Sequence, residues 1–96
     1  MRAVILLERA KADLIEIWHY TASTWDVPQA NCYVGAIHAA LGRIASGVDK
    51  ARDAENIRSG LKRIRCGSHF AFLMYQEDSI QVVRVLHERM NFDDHL

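Results

Sequence analysis

The chain has 96 residues, 50% hydrophobic and 25% charged, with acidic and basic side chains in balance. That length is near the lower limit at which a single apolar core suffices, and residues 1–96 read as one domain. Zero net charge argues against avid nonspecific nucleic-acid binding, which rests on phosphate neutralisation, and no run approaches the roughly 18 apolar residues of a membrane span.

Residues 2–7 form an apolar run rich in Val, Ile and Leu, which predicts a first strand. The run is too short for a signal-peptide core and lacks a small-residue cleavage site, so a cytoplasmic location is expected. From about Arg9 the period changes. Ala10, Leu14, Ile17, Trp18, Thr21 and Trp25 recur at three- and four-residue steps, the pattern of an amphipathic helix. Lys11, Asp13, Glu16 and His19 fall mostly off its buried face.

A break follows at Ser23–Pro28, where Asp26 and Gln29 have capping-box spacing and Pro28 suits a first helical turn. A second helix is predicted from about Pro28 to Ala45, with Ala30, Tyr33, Val34, Ile37, Leu41 and Ile44 as its buried stripe. Residues 27–42 carry no formal charge, so much of this helix should be covered. Two such helices joined by a short turn pack as an antiparallel hairpin, and Gly47 suits a left-handed cap after the second.

Residues 48–60 are polar and read as a surface connection with room for one helical turn. Leu61–Cys66 and His69–Gln76 flank Gly67-Ser68, a two-residue hairpin signal. Phe70–Tyr75 is continuously apolar, which suits a central strand covered on both faces. Glu77-Asp78 makes the next turn, and Ser79–His87 is the last strand. The tail, Glu88–Leu96, has Met90, Phe92 and Leu96 as possible anchors and suits a short helix.

The predicted class is α+β: an N-terminal strand, an antiparallel helical hairpin, a three-stranded antiparallel meander and a short C-terminal tail. Strict alternation puts Ile80, Val82, Arg84 and Leu86 on one face of the last strand and Gln81, Val83, Val85 and His87 on the other. In the first meander strand, Leu61, Arg63 and Arg65 oppose Lys62, Ile64 and Cys66. A helical hairpin covers only one face of a sheet, so the other is expected to stay partly open to a partner.

Charge is unevenly spread. Residues 43–67 carry Arg43, Lys50, Arg52, Arg58, Lys62, Arg63 and Arg65 against Asp49, Asp53 and Glu55. Residues 76–96 carry Arg84 and Arg89 against Glu77, Asp78, Glu88, Asp93 and Asp94. Cys32 and Cys66 have no metal-type spacing and read as buried, unpaired thiols. There is no CxxC, no His/Cys cluster and no glycine-rich phosphate loop, so no cofactor or metal is expected.

The order strand, helical hairpin, meander resembles the RelE/ParE superfamily of bacterial toxins, and three segments resemble its ParE branch. These are ADLIEIWHYTA at 12–22 in the first helix, AENIRSGLKRI at 54–64 leading into the second strand, and RVLHERM at 84–90 in the final strand. The chain departs from the usual ParE pattern at Asn91, where an aspartate commonly follows the methionine, and in HFAFLMY, where many relatives carry a second His or Tyr. The resemblance implies a RelE/ParE-like fold and the toxin of a type II toxin–antitoxin pair. It further implies a ParD-like antitoxin that neutralises the toxin and DNA gyrase as its target. The RelE branch instead cleaves messenger RNA on the ribosome; that, or a non-toxic relative that only binds an antitoxin, is the alternative.

Metal-free RNA cleavage needs a base, an acid and cations on the phosphate. Arg63, Arg65 and Arg84 have the charge for a phosphate, and His87 suits proton transfer. The RelE-type catalytic set relies on a C-terminal Tyr or His–Tyr pair, however, and no tyrosine follows Tyr75. No catalytic residue is therefore expected. The residues expected to bind antitoxin or target are Trp25, Arg58, Lys62, Arg63, Arg65, Arg84 and His87, with arginines gripping antitoxin carboxylates. The plainer reading gives Arg84 to the tail carboxylates Asp93 or Asp94, His87 to a sheet-edge cap and the basic cluster to a solvated face. Trp18, Tyr33 and Phe70 read as core, as does Trp25 unless exposed, and the remaining histidines as incidental.

Overall fold

The computed structural model describes residues 1–96. Strand β1 (Ala3–Leu6) leads into helices α1 (Glu8–Thr24) and α2 (Val27–Ala45). Strands β2 (Arg52–Asp53), β3 (Lys62–Cys66), β4 (His69–Tyr75) and β5 (Ser79–His87) follow, then a helical turn α3 (Phe92–His95).

The hairpin forms where the apolar spacing places it. Ala10, Leu14, Ile17 and Thr21 are buried on α1, as are Ala30, Ile37, Leu41, Ile44 and Ala45 on α2. Only Trp25 and Asp26 separate the helices. Asp26 accepts the Gln29 amide at 2.8 Å, which satisfies an N–H that the first turn of α2 would leave open. The Trp18 indole donates to Asn31 Oδ1 at 2.9 Å and ties the helices together. Gly47 closes α2 at φ 82°, a backbone state that suits glycine.

One sheet carries all five strands in the order β1-β5-β4-β3-β2, with β1 parallel to β5 and the other pairs antiparallel. The meander is as the turn signals predict. β2 corrects the plain-connection reading of 48–60: Arg52 pairs with Arg63 and Asp53 with Lys62. Its residues are charged and exposed, so neither alternation nor apolarity marks it as a strand.

A second correction concerns β5. Leu73 pairs with Val82 but Phe72 pairs with Arg84, so Val83 is an extra residue, a β-bulge. The bulge breaks the two-residue period. Ile80, Val82 and Val85 all pack toward the helices, whereas Val83 and Leu86 pack on the opposite side. The expectation that Ile80, Val82, Arg84 and Leu86 share a face fails at this point.

The helical face of the sheet, with Ala71, Leu73, Ile80, Val82 and Val85, meets Leu14, Ile17, Ile37, Leu41 and Ile44 in the larger core cluster. The opposite face is more covered than the sequence suggests. Leu61, Phe72, Leu86 and Ala54 are buried there, flanked by Ile57, Met74, Val83 and the tail residues Phe92 and Leu96. The Phe92 ring meets Phe72 at 4.9 Å and Phe70 at 5.7 Å, both edge-on. Of the expected tail anchors, Phe92 and Leu96 serve and Met90 remains exposed. No helix is long and apolar enough to cross a membrane.

Candidate functional site

The residues singled out from sequence separate into four places. Arg84 is committed inside the molecule. Its Nε and Nη2 donate to Asp13 Oδ2 and Oδ1 at 2.8 and 2.9 Å, a bidentate pair, and its Nη1 donates to the His95 carbonyl at 3.2 Å. Both side chains are nearly buried, 13% and 10% exposed. Asp13 Oδ2 also accepts the Val85 amide at 2.9 Å. This geometry has a local cause. β1 ends at Leu6, the Leu7 amide makes a last bond to the Val82 carbonyl, and beyond it the edge of β5 has no neighbouring strand. The Asp13 carboxylate takes over as acceptor. The hydrogen bond to Asp13 raises the Arg84 pKa further above its ordinary range, with burial acting in the opposite direction. Asp13, read as lying mostly off the buried face of α1, is buried, and Arg84 reaches it rather than Asp93 or Asp94.

His87 stands in a groove of about 310 Å³ between α1 and the ends of β4 and β5, lined by Glu16, Ile17, Tyr20, His69 and Met90 among others. The His69 and His87 rings meet edge-on at 5.1 Å. His87 Nδ1 accepts the Arg89 amide at 3.1 Å. His69 Nδ1 lies 2.7 Å from the Tyr33 hydroxyl, which also accepts the Ser68 amide at 2.9 Å and lies 3.2 Å from the Cys66 carbonyl. Tyr33 thus braces the β3–β4 turn. Gly67, at φ 61°, is required there, because a Cβ would come within 2.8 Å of the Tyr33 ring. Burial, then the neighbouring His87, lowers the His69 pKa, while Glu88 and Asp13 pull it the other way.

His69 is the residue that sequence reasoning missed. A regular hairpin continuing the Tyr75–Ile80 register would set His69 opposite Leu86. The bulge at Val83 shifts the register by one and sets it opposite His87.

The basic cluster occupies the far edge of the sheet. Arg63 and Arg65 project from the face of β3 away from the helices, and their guanidinium carbons lie 4.9 and 4.7 Å from the Phe70 ring centre. Such stacking suits the weakly hydrated guanidinium. Arg65 also donates to the Gly67 carbonyl and to Glu88 Oε1, at 3.1 and 3.2 Å. Arg58 reaches only Met74 Sδ, at 3.7 Å. Lys62 points to the helical face and lies 3.6 Å from Asp53.

Beside them a cleft of about 530 Å³ wraps the edge of β3, bounded by Ala40, Arg43 and Ile44 of α2, by Asp49, Lys50 and Arg52, and by Arg63, Ile64, Arg65 and Phe70. Arg43 is paired with Asp49 at 2.9 Å, but Lys50, Arg52 and Arg63 make no ion pair. β2 covers β3 only at Lys62 and Arg63, so Ile64–Cys66 have no neighbouring strand on this side. Lys50 and Arg52 join the site through the charge bias of residues 43–67, the signal by which sequence pointed to the region.

The fourth place is the hairpin tip. Trp25 is 73% exposed there, not core, beside the exposed Val27. Trp18, Tyr33 and Phe70 are half-buried, each with a polar or cationic partner. Cys66 is buried, and burial raises its thiol pKa against the pull of Arg43; Cys32 is exposed, which corrects its reading as a buried thiol. No three His, Cys, Asp or Glu side chains stand close enough to share a metal ion.

The model of the family described as the ParE toxin of the type II toxin–antitoxin system parDE matches residues 4–92. The chain belongs to the ParE toxin family. Toxin ParE1 of Caulobacter vibrioides is 38% identical over 96 residues, covering 100% of this chain and 99% of that protein. Toxin ParE1 of Mycobacterium tuberculosis is 39% identical over 93 residues, 96% of this chain and 95% of that one. Toxin ParE of Escherichia coli is 33% identical over 92 residues, 95% and 89% respectively. A solved structure of the chromosomal ParDE system from P. aeruginosa superposes with a TM-score of 0.77 over 91% of this chain and 96% of that one, at 18% identity, a likeness of fold. The ParE match runs from β1 into α3 and so includes the bulge, the Asp13–Arg84 pair and the basic edge.

Proposed function

We propose that this ParE-family toxin is neutralised by a ParD-like antitoxin that engages the basic edge of the sheet, and that it acts by binding and inhibiting DNA gyrase rather than by catalysis. The observation that carries the antitoxin reading is the cleft along β3, where Lys50, Arg52 and Arg63 have no carboxylate partner beside a strand edge with no neighbour. An extended acidic segment laid there satisfies the backbone by strand addition and the guanidiniums by charge-assisted pairing. Ile64 on the helical face and Phe70 on the opposite face supply apolar contact on either side of that edge. The exposed Trp25 is a second anchor at the hairpin tip, of the kind that dominates interface energetics.

Two features support a non-catalytic mode. His69 and His87 would supply an acid and a base, but Glu16 lines their groove as a carboxylate with no ion-pair partner, which repels a phosphate, and the Asp13 carboxylate there is already taken by Arg84. The stacked arginines lie on the other side of the sheet, and Arg84 is held by Asp13. A cytoplasmic site of action goes with this reading.

Arg63→Glu is the sharper probe of antitoxin binding, because Arg65→Glu would also set two acids together at Glu88. Loss of one charge-assisted pair is expected to weaken antitoxin binding by about 1.5–3 kcal/mol in calorimetry, with the fold retained by circular dichroism. Unchanged affinity would remove the cleft from the interface. For the target, purified chain should inhibit supercoiling by gyrase and leave messenger RNA intact on translating ribosomes. Ribosome-dependent cleavage would favour the interferase instead.

A further inference from the structure

The opposite edge of the sheet is built for a different occupant. β1 is an edge strand, and only one side of its backbone is engaged. Ala3 and Leu7 donate inward to the Asp78 and Val82 carbonyls, so the groups of Val4 and Leu6 point outward by the alternation of a β-strand. Those outward amides and carbonyls have no partner in the molecule, whereas the next outward amide, that of Arg2, is taken by the Ala45 carbonyl. The free edge is therefore two residues long, and its ends are defined.

Apart from its shortness, the strand lacks the features that keep sheet edges apart. It carries no proline and no charge, and Val4, Ile5 and Leu7 are 38%, 43% and 37% exposed. At the other edge, β2 is short and charged. We infer that β1 is a self-association surface that pairs antiparallel with β1 of a second copy of this chain, in the register that sets Ile5 opposite Ile5.

The register follows from the free groups. Outward-pointing residues must face each other, which leaves three two-fold arrangements. Val4 opposite Val4 asks for the Arg2 amide, already used. Leu6 opposite Leu6 sets Val4 against Glu8, where the chain has turned into α1. Ile5 opposite Ile5 sets Val4 against Leu6 twice and satisfies all the free amides and carbonyls of both strands. The same register sets Ala3 against Leu7 on the face away from the helices and brings Arg2, whose Nε donates to the Gln76 carbonyl, toward Glu8 of the other copy, an exposed carboxylate 3.3 Å from its own Lys11, at both ends. This self-complementarity in backbone, apolar side chains and charge makes a second copy the occupant. The strand is short, so the dimer is weak, with an interface below the size of a standard stable one.

Sedimentation velocity on the purified full chain tests this across a range of concentrations. Wild type should show a reversible monomer–dimer equilibrium. Val4→Pro removes an amide that bonds to nothing within the chain, and Ile5→Lys places a charge on the two-fold axis; both should remain monomeric with unchanged circular dichroism. Arg2→Glu and Glu8→Arg should each weaken the dimer, and the double variant should recover it. A chain that stays monomeric at every concentration overturns the inference, as does a dimer indifferent to Val4→Pro and Ile5→Lys. Failure of the double charge swap to recover the dimer overturns the register.

Discussion

The two edge strands leave part of their inner neighbours uncovered, and those stretches are closed by opposite means. On the β1 side, the upper end of β5 is sealed by a buried, bidentate Asp13–Arg84 pair that also caps the Val85 amide. On the β3 side, the edge is covered by a two-residue strand held through an exposed Lys62–Asp53 contact at 3.6 Å. One device is rigid and desolvated, and breaking it leaves a charge stranded. The other is solvated and yields readily. The second kind suits the strand addition proposed for the β3 edge, and the free cations gather there.

The contrast predicts a ladder of effects. The largest belongs to Asp13→Ala, which strands Arg84 and the Val85 amide and should cost about 3–5 kcal/mol in urea unfolding. A loss below about 1 kcal/mol would mean that the pair contributes little to closing that end of β5.

Next is the pH response of His69. His69 has its pKa lowered from 6.5, first by burial and then by His87, so the folded state binds this proton more weakly than the unfolded chain. Its contribution to stability is thus fully present above pH 6.5 and is lost as the pH falls toward the lowered folded value. The melting temperature should drop between about pH 7 and about pH 5, and His69→Gln should flatten that slope. An equal slope in the variant would assign the titration elsewhere. The smallest effect is Asp53→Ala, within about 0.5 kcal/mol of wild type in the same unfolding experiment, because the contact it removes is exposed.

How much of this was legible in the sequence depends on the range of the interaction. The helices follow from local periodicity and from the Asp26 cap, and the β3–β4 turn from Gly67-Ser68, so each is fixed within a few residues. The register of β5 is not local. Its bulge at Val83 depends on two strands and two packed faces, and it decides both the reach of Arg84 and the meeting of His69 with His87. Asp13 reads as a surface residue because its partner lies 71 positions away. The basic edge was visible as a charge bias, but which cations lack partners is a fact of tertiary structure.

As proposed, partner recognition is divided between the edges, the basic β3 edge receiving the antitoxin and the apolar β1 edge a second copy. Calorimetric titration of a ParD-like antitoxin into Arg63→Glu and Ile5→Lys, each checked for fold, tests it most directly. Affinity is expected to fall about 10-fold or more in Arg63→Glu and to stay unchanged in Ile5→Lys. Unchanged affinity in Arg63→Glu, or a loss confined to Ile5→Lys, would contradict it.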